Sequence, residues 1–205
     1  MIIIGELINA SRKVVKTAIQ AGDKVTIQEI AKSQATAGAD YIDVNAGIFV
    51  DKEPEYLRWL VETVQEVTEL PCAIDSPSPE AIKSALEVHK GTPMINSISL
   101  ESERFDALLP LISGTDFKVI VLCMSDDGMP ETTGDRLEIA ARLINGLSKN
   151  DVLIENIFVD PLVQPMSVNN MFGMEFLDSV ELIMKRFPGI HTACGLSNIS
   201  YGLPE

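Results

Sequence analysis

Short apolar runs that stop at Asp or Asn alternate along this chain with stretches of helical spacing. The runs are Ile2-Ile3-Ile4-Gly5-Glu6, with Asn9 soon after, then Tyr41-Ile42-Asp43-Val44-Asn45, Cys72-Ala73-Ile74-Asp75-Ser76, Met94-Ile95-Asn96-Ser97, Ile157-Phe158-Val159-Asp160 and Gly195-Leu196-Ser197-Asn198. Such alternation is the pattern of repeated βα units on a parallel sheet. Strands centred near residues 3, 42, 74, 95, 120, 158 and 194 favour a (β/α)8 TIM barrel over an open sheet. In that fold every strand ends on one face, and that face holds the active site. An eighth strand is not visible, and a barrel of seven would leave edges exposed. The expectation is therefore a single domain over residues 1–205, cut short before its last βα unit.

The helices are predicted from apolar stripes. Val14, Val15, Ala18 and Ile19 form the first, stopped by Gly22. Thr26 is placed to cap the second, where Ile27, Ile30, Ala31 and Ala37 face the core before Gly38. Pro54 opens a third with Leu57, Leu60, Val61, Val64 and Val67, and Ser78-Pro79-Glu80 starts a fourth. Further stripes carry Phe105, Leu108, Leu109 and Ile112, then Leu137, Ala140, Ala141 and Ile144, then Leu177, Val180 and Ile183. Asp126 to Gly134 and the Phe172-Gly173 pair are expected in βα loops.

Composition narrows the function. Thirty acidic against sixteen basic residues give a net charge of −14. Nucleic acid and anionic membranes need a basic footprint and are poor partners for such a chain. No apolar run is long enough to span a bilayer, and no signal peptide is recognisable, so a cytoplasmic protein is expected. Cys72, Cys123 and Cys194 sit in apolar, strand-like contexts and are expected to be reduced core cysteines. Without a CxxC pair or a His cluster, no metal site is expected. His89 and His191 are expected in surface or terminus-capping roles, and Trp59 in packing.

The polar strand ends carry the chemistry. Asp75, Asn96 and Asp160 have no Arg or Lys beside them in sequence. A carboxylate at a strand end needs partners. A ring with adjacent N–H donors would supply paired hydrogen bonds to it, and Asn96 could both donate and accept. The alternative is that each residue caps the next helix or pins a loop. Asn198 is a neutral amide that donates at every pH, which suits a ring nitrogen whose charge changes during reaction. It could equally cap the Ser197–Ser200 turn.

The ordered set Gly5-Glu6-Leu7-Ile8-Asn9, Asp43-Val44-Asn45-Ala46-Gly47, Ile74-Asp75-Ser76, Met94-Ile95-Asn96-Ser97, Asp160-Pro161-Leu162 and Gly195-Leu196-Ser197-Asn198 resembles the pterin-binding methyltransferases. Within them it is most similar to the methyltetrahydrofolate:corrinoid methyltransferases of anaerobic bacteria. The resemblance implies a TIM barrel, usually a homodimer, that binds tetrahydrofolate or 5-methyltetrahydrofolate. It matches Asp75, Asn96 and Asp160 to pterin-anchoring positions and Asn198 to the residue that hydrogen-bonds N5. Asp43, Asn45, Ser76 and Ser197 are candidates for a supporting network. The methyl group would pass between N5 and the cobalt of a cobalamin carried by a separate corrinoid protein, in an anaerobic cytosol.

Two rivals share the pocket. Dihydropteroate synthase needs phosphate-binding elements, whereas the first loop here reads Asn9-Ala10-Ser11-Arg12-Lys13 and the last strand ends in Leu196-Ser197-Asn198. A non-catalytic folate-binding module of a larger methyl-transfer assembly is the other.

Overall fold

The computed structural model describes residues 1–203. The chain divides into two compact units, one spanning Met1–Asn96 and the other running from Ser97.

The first unit is built from β1 (Ile4–Asn9), α1 (Lys13–Ala21), α2 (Lys24–Thr36), β2 (Tyr41–Asn45), α3 (Glu53–Gln65), β3 (Cys72–Asp75), α4 (Pro79–Leu86) and the start of β4 (Met94–Leu100). β1, β2, β3 and β4 pair in that order, all parallel. The register places Asn9 beside Asn45, Asn45 beside Asp75, and Asp75 beside Asn96. Laterally paired residues point to the same face of a sheet, so one row of polar side chains closes the C-terminal ends of β1, β2 and β3 and continues onto Asn96, which does not end its strand as expected, because β4 runs on to Leu100. On the opposite face of the sheet, Ile42, Val44, Ile74 and Ile95 are fully buried, as are Leu57, Leu60, Val61, Val64 and Ile82 of the covering helices. Burial of each such side chain stabilises the fold by about 1.5–3 kcal/mol.

Local chemistry explains the element ends. Gly22 takes the left-handed conformation, φ 65°, and its N–H closes α1 on Ala18 and Ile19. Asp23, rather than Thr26, caps α2, because its carboxylate accepts from the Thr26 N–H. Ala37 lies beyond α2 and is exposed, and Gln34 takes the inward position instead. A bulge interrupts the β1–β2 register between Gly5 and Ile8. There the Leu7 N–H donates to Gln34 Oε1 at 2.9 Å. A Cβ on residue 5 would lie 2.5 Å from that oxygen, so any larger residue would push Gln34 from its place. Ser78 caps α4 as expected, accepting from the Ala81 N–H. His89 is half-buried rather than a surface residue. Its Nε2 accepts from the Cys72 N–H at 2.9 Å at the entry to β3, and burial lowers its pKa. Trp59, on α3, is half-buried.

The second unit holds the end of β4, α5 (Ser102–Ile112), β5 (Lys118–Ser125), α6 (Thr133–Ser148), β6 (Ile157–Asp160), α7 (Phe172–Arg186) and β7 (His191–Thr192). β5, β6 and β7 are parallel neighbours, with Leu122 beside Asp160 and Val159 beside Thr192. Val119, Val121, Val159, Leu143 and Leu147 are fully buried in its core. Met124 is half-buried on the same face of β5 as Leu122. A reciprocal Thr132–Asp135 capping box opens α6. Phe172 and Gly173 begin α7 rather than lying in a loop. Leu177 is 59% exposed, so of the predicted inward stripe of α7 only Ile183 is buried, and the unpredicted Ser179 joins it. β7 is shorter and earlier than expected. His191, placed before a strand by its sequence, lies within β7 and stacks on Phe158 at 4.6 Å. Pairing ends when the Ala193 N–H donates to the Val159 carbonyl. Gly195-Leu196-Ser197-Asn198 therefore leads into a 3-10 turn, Leu196–Ser200, and not off a strand. Cys72 and Cys123 are core residues, and burial pushes both thiols up to about 12. Cys194 is exposed, against expectation.

Candidate active site

In the first unit polar residues at and near the strand ends form a bonded cluster. Asp43 lies two residues before the end of β2 and is 2% exposed. Asn96 Nδ2 donates to its Oδ2 at 3.0 Å. Asn45, on the same face of β2, donates from Nδ2 to Asp75 Oδ2 at 2.8 Å and accepts the Gly47 N–H on Oδ1. Sequence neighbours could not join these residues. Parallel strands in register do: Asn45 and Asp75 meet on neighbouring strands, and Asn96 of β4 reaches across β3 to Asp43 of β2.

The electrostatics of the cluster are unusual. Burial pushes the Asp43 carboxyl well above the ordinary aspartate range. The Asp75 charge raises it further, the Asn96 hydrogen bond opposes this, and Glu6 adds a smaller upward push. Glu6, at the exposed side of β1, is itself raised, first by burial and then by Asp75. The charged neighbours acting on Asp43 are thus carboxylates. Like charges in a poorly solvated place favour shared protons and incoming N–H donors over a second anion. Such a surface repels phosphate and suits a neutral, hydrogen-bonding heterocycle.

Ser76, a candidate from sequence, faces a brace rather than the row. Its Oγ donates to Glu53 Oε1 at 2.5 Å and accepts the Ser78 N–H, while its N–H donates to the Asn96 carbonyl at 3.1 Å. Glu53 is 3% exposed. This brace fixes the chain directly after Asp75. Glu53 escaped sequence reasoning because an acid in the first turn of a helix is already explained by the helix dipole. Glu6 was in view only as part of a motif.

In the second unit Asp160 ends β6, half-buried, and its Oδ1 accepts the Leu162 N–H at 2.8 Å. Leu162 has φ 62°, a left-handed conformation that a leucine adopts only when its surroundings hold it there. Ser197 and Asn198 are exposed on the 3-10 turn. The Asn198 N–H donates to the Gly195 carbonyl at 3.0 Å. A Cβ on residue 195 would stand 3.0 Å from Asn198 Nδ2, so glycine leaves that amide room. The turn is tied down by the Met166 N–H on the Ile199 carbonyl and by Ser167 Oγ on the Tyr201 carbonyl. Among the described residues no group of three His, Cys, Asp or Glu side chains is placed to hold a metal ion, and no helix is long and apolar enough to cross a membrane.

Solved structures share this architecture. Dihydropteroate synthase of Stenotrophomonas maltophilia aligns over 93% of this chain and 70% of its own, with TM-score 0.67 at 16% identity. The Xanthomonas albilineans dihydropteroate synthase bound to 4-aminobenzoic acid aligns over 93% and 69%, with TM-score 0.64 at 18% identity. These likenesses establish the fold class, a (β/α)8 barrel of which the described residues supply seven strands. By sequence, the methylcorrinoid:tetrahydrofolate methyltransferase of Eubacterium limosum is 38% identical over 206 residues, 100% of this chain and 76% of that protein. The methionine synthase of Mycobacterium leprae is 29% identical over 214 residues, 99% of this chain but 18% of that protein. Residues 5–204 match the pterin binding enzyme family, and the chain belongs to it.

Proposed function

We propose that this chain is a methyltransferase that moves a methyl group between N5 of tetrahydrofolate and the cobalt of a corrinoid held by a partner protein. The observation that carries the pterin half is the Asp43–Asn96 and Asn45–Asp75 cluster, hydrogen-bonded, acidic and pressed on by carboxylates. The corrinoid half is supported by the relative named for that reaction, at 38% identity over the whole chain.

Asp75, Asn96 and Asp160 bind the pterin. Carboxylates accept from its amino and ring N–H groups, and the Asn96 amide reads a donor–acceptor edge. Asp43, Asn45, Ser76 and Ser197 support them. The corrinoid, when its protein presents it, supplies the second methyl carrier. When the methyl leaves, the electron pair of the N5–carbon bond stays on nitrogen. Asn198 hydrogen-bonds N5 as that charge develops, and a neutral amide holds this role at any pH. Residues 1–205 act as one pterin-binding domain of a cytoplasmic, anaerobic homodimer.

The dihydropteroate synthase alternative has support only in the fold. Arg12 and Lys13, the basic residues of the loop after β1, are exposed at the start of α1.

The test is calorimetric titration with tetrahydrofolate and 5-methyltetrahydrofolate, then anaerobic mixing with cobalt(I) cobalamin. Binding followed by loss of the cobalt(I) absorbance is the expected outcome. Binding without transfer would point to a folate-binding module. No binding would overturn the pterin reading.

A further inference from the structure

Arg136 is a cation in an unfavourable place. It lies in the first turn of α6 with no exposed area, the single basic side chain so buried among the described residues. Burial lowers its pKa, partly offset by Glu175, Cys123 and Asp135. The positive end of the helix dipole opposes a cation there. One of its donors, Nη2, is buried without a partner. For stability alone, an apolar side chain of similar volume would serve as well.

Its other donors are committed to backbone. Nε donates to the Pro161 carbonyl at 2.8 Å, and Nη1 to the Glu131 carbonyl at 3.1 Å. Pro161 stands between Asp160 and the left-handed Leu162, whose N–H is held by the Asp160 carboxylate. The guanidinium thus anchors the middle of a three-residue turn whose ends orient the Asp160 side chain. Cys123 reports the proximity, since Asp160 raises its pKa and Arg136 lowers it.

We propose that Arg136 is a positioning residue that aims the Asp160 carboxylate at the pterin by clamping the Pro161 carbonyl. This inference rests on the pterin reading above.

The test is a double-mutant cycle read by calorimetric titration of the full chain with tetrahydrofolate, below each variant's melting temperature. Arg136→Met should raise Kd about tenfold, the scale of one lost charged hydrogen bond. In the Asp160→Ala background the same substitution should change Kd little, because its effect passes through Asp160. In the transfer assay KM for the folate should rise while kcat at saturation holds, a split that general loosening would not give. If Arg136→Met does not fold, Leu162→Gly relaxes the same turn without touching α6, and it too should raise Kd. Wild-type affinity in the variant that folds would overturn the inference, as would an equal loss in both backgrounds. If the wild-type chain itself fails to bind tetrahydrofolate, the pterin reading falls first and takes this proposal with it.

Discussion

Asp43 sits where a carboxylate is least comfortable, buried and beside two others. Its folded pKa is raised, so the folded state keeps its proton to higher pH than the unfolded chain does. The stability linked to it is fully present below the ordinary aspartate value of about 3.9 and is lost as pH rises through the folded value. Asp43→Asn removes this titration. Its melting temperature should exceed that of the wild type near pH 8, with the gap shrinking toward roughly pH 4. A gap independent of pH would show that Asp43 is not held near its neutral form. Asn198 makes the opposite case, an exposed amide on a turn held by its own backbone. Asn198→Ala should slow methyl transfer about a hundredfold, the scale for loss of one preorganised donor, and leave tetrahydrofolate affinity near wild type. Unchanged turnover would remove Asn198 from the mechanism.

At the scale of elements, β1 shows how a strand is shaped to present its end. The bulge after Gly5 leaves the Leu7 N–H outside the ladder, and Gln34 from α2 accepts it. Gly5→Ala would press a methyl into the Gln34 side chain. It should lower stability by about 1–3 kcal/mol in urea unfolding, the range for overpacking. Wild-type stability would mean that Gln34 moves aside freely. The element predictions succeeded where the signal was local. Ser78-Pro79 caps α4, and Leu57, Leu60, Val61 and Val64 are the buried stripe of α3. They failed where two local solutions compete. Asp23 and Thr26 can both cap α2, and the carboxylate, which also accepts the Thr26 hydroxyl, wins. Gly195-Leu196-Ser197-Asn198 looked like a strand end because Leu196 is apolar, yet Leu196 is 74% exposed on the turn.

For the whole molecule, a ligand that binds only the folded state must raise the melting temperature. Tetrahydrofolate at a hundred times its Kd should add about 2.7 kcal/mol. A chain of this size gains about 2–4 °C per kcal/mol, so a shift of several degrees is expected. A folate-independent melting curve at that concentration would contradict the proposed site. The fold class and the polar rim were both legible because a βα repeat writes each strand and its end residue in one short stretch. Asp43, Asn45, Asp75 and Asn96 could be named before any coordinates for that reason. Their pairing could not, nor could Glu53 or Arg136, which look in sequence like ordinary first-turn helix residues.

The sequence by itself determined the order of strands and helices and the polar residues that end β1, β2, β3 and β6, since periodicity and caps depend on residues a few positions apart. The tertiary structure alone decided which of those residues are buried and what they touch. Asn96 meets Asp43 across 53 positions, Asn45 meets Asp75 across 30, Gln34 meets Leu7 across 27, and Arg136 meets Pro161 across 25. Desolvation and hydrogen-bond geometry exist only after such separations close, and they turn a row of common polar residues into a bonded, acidic cluster.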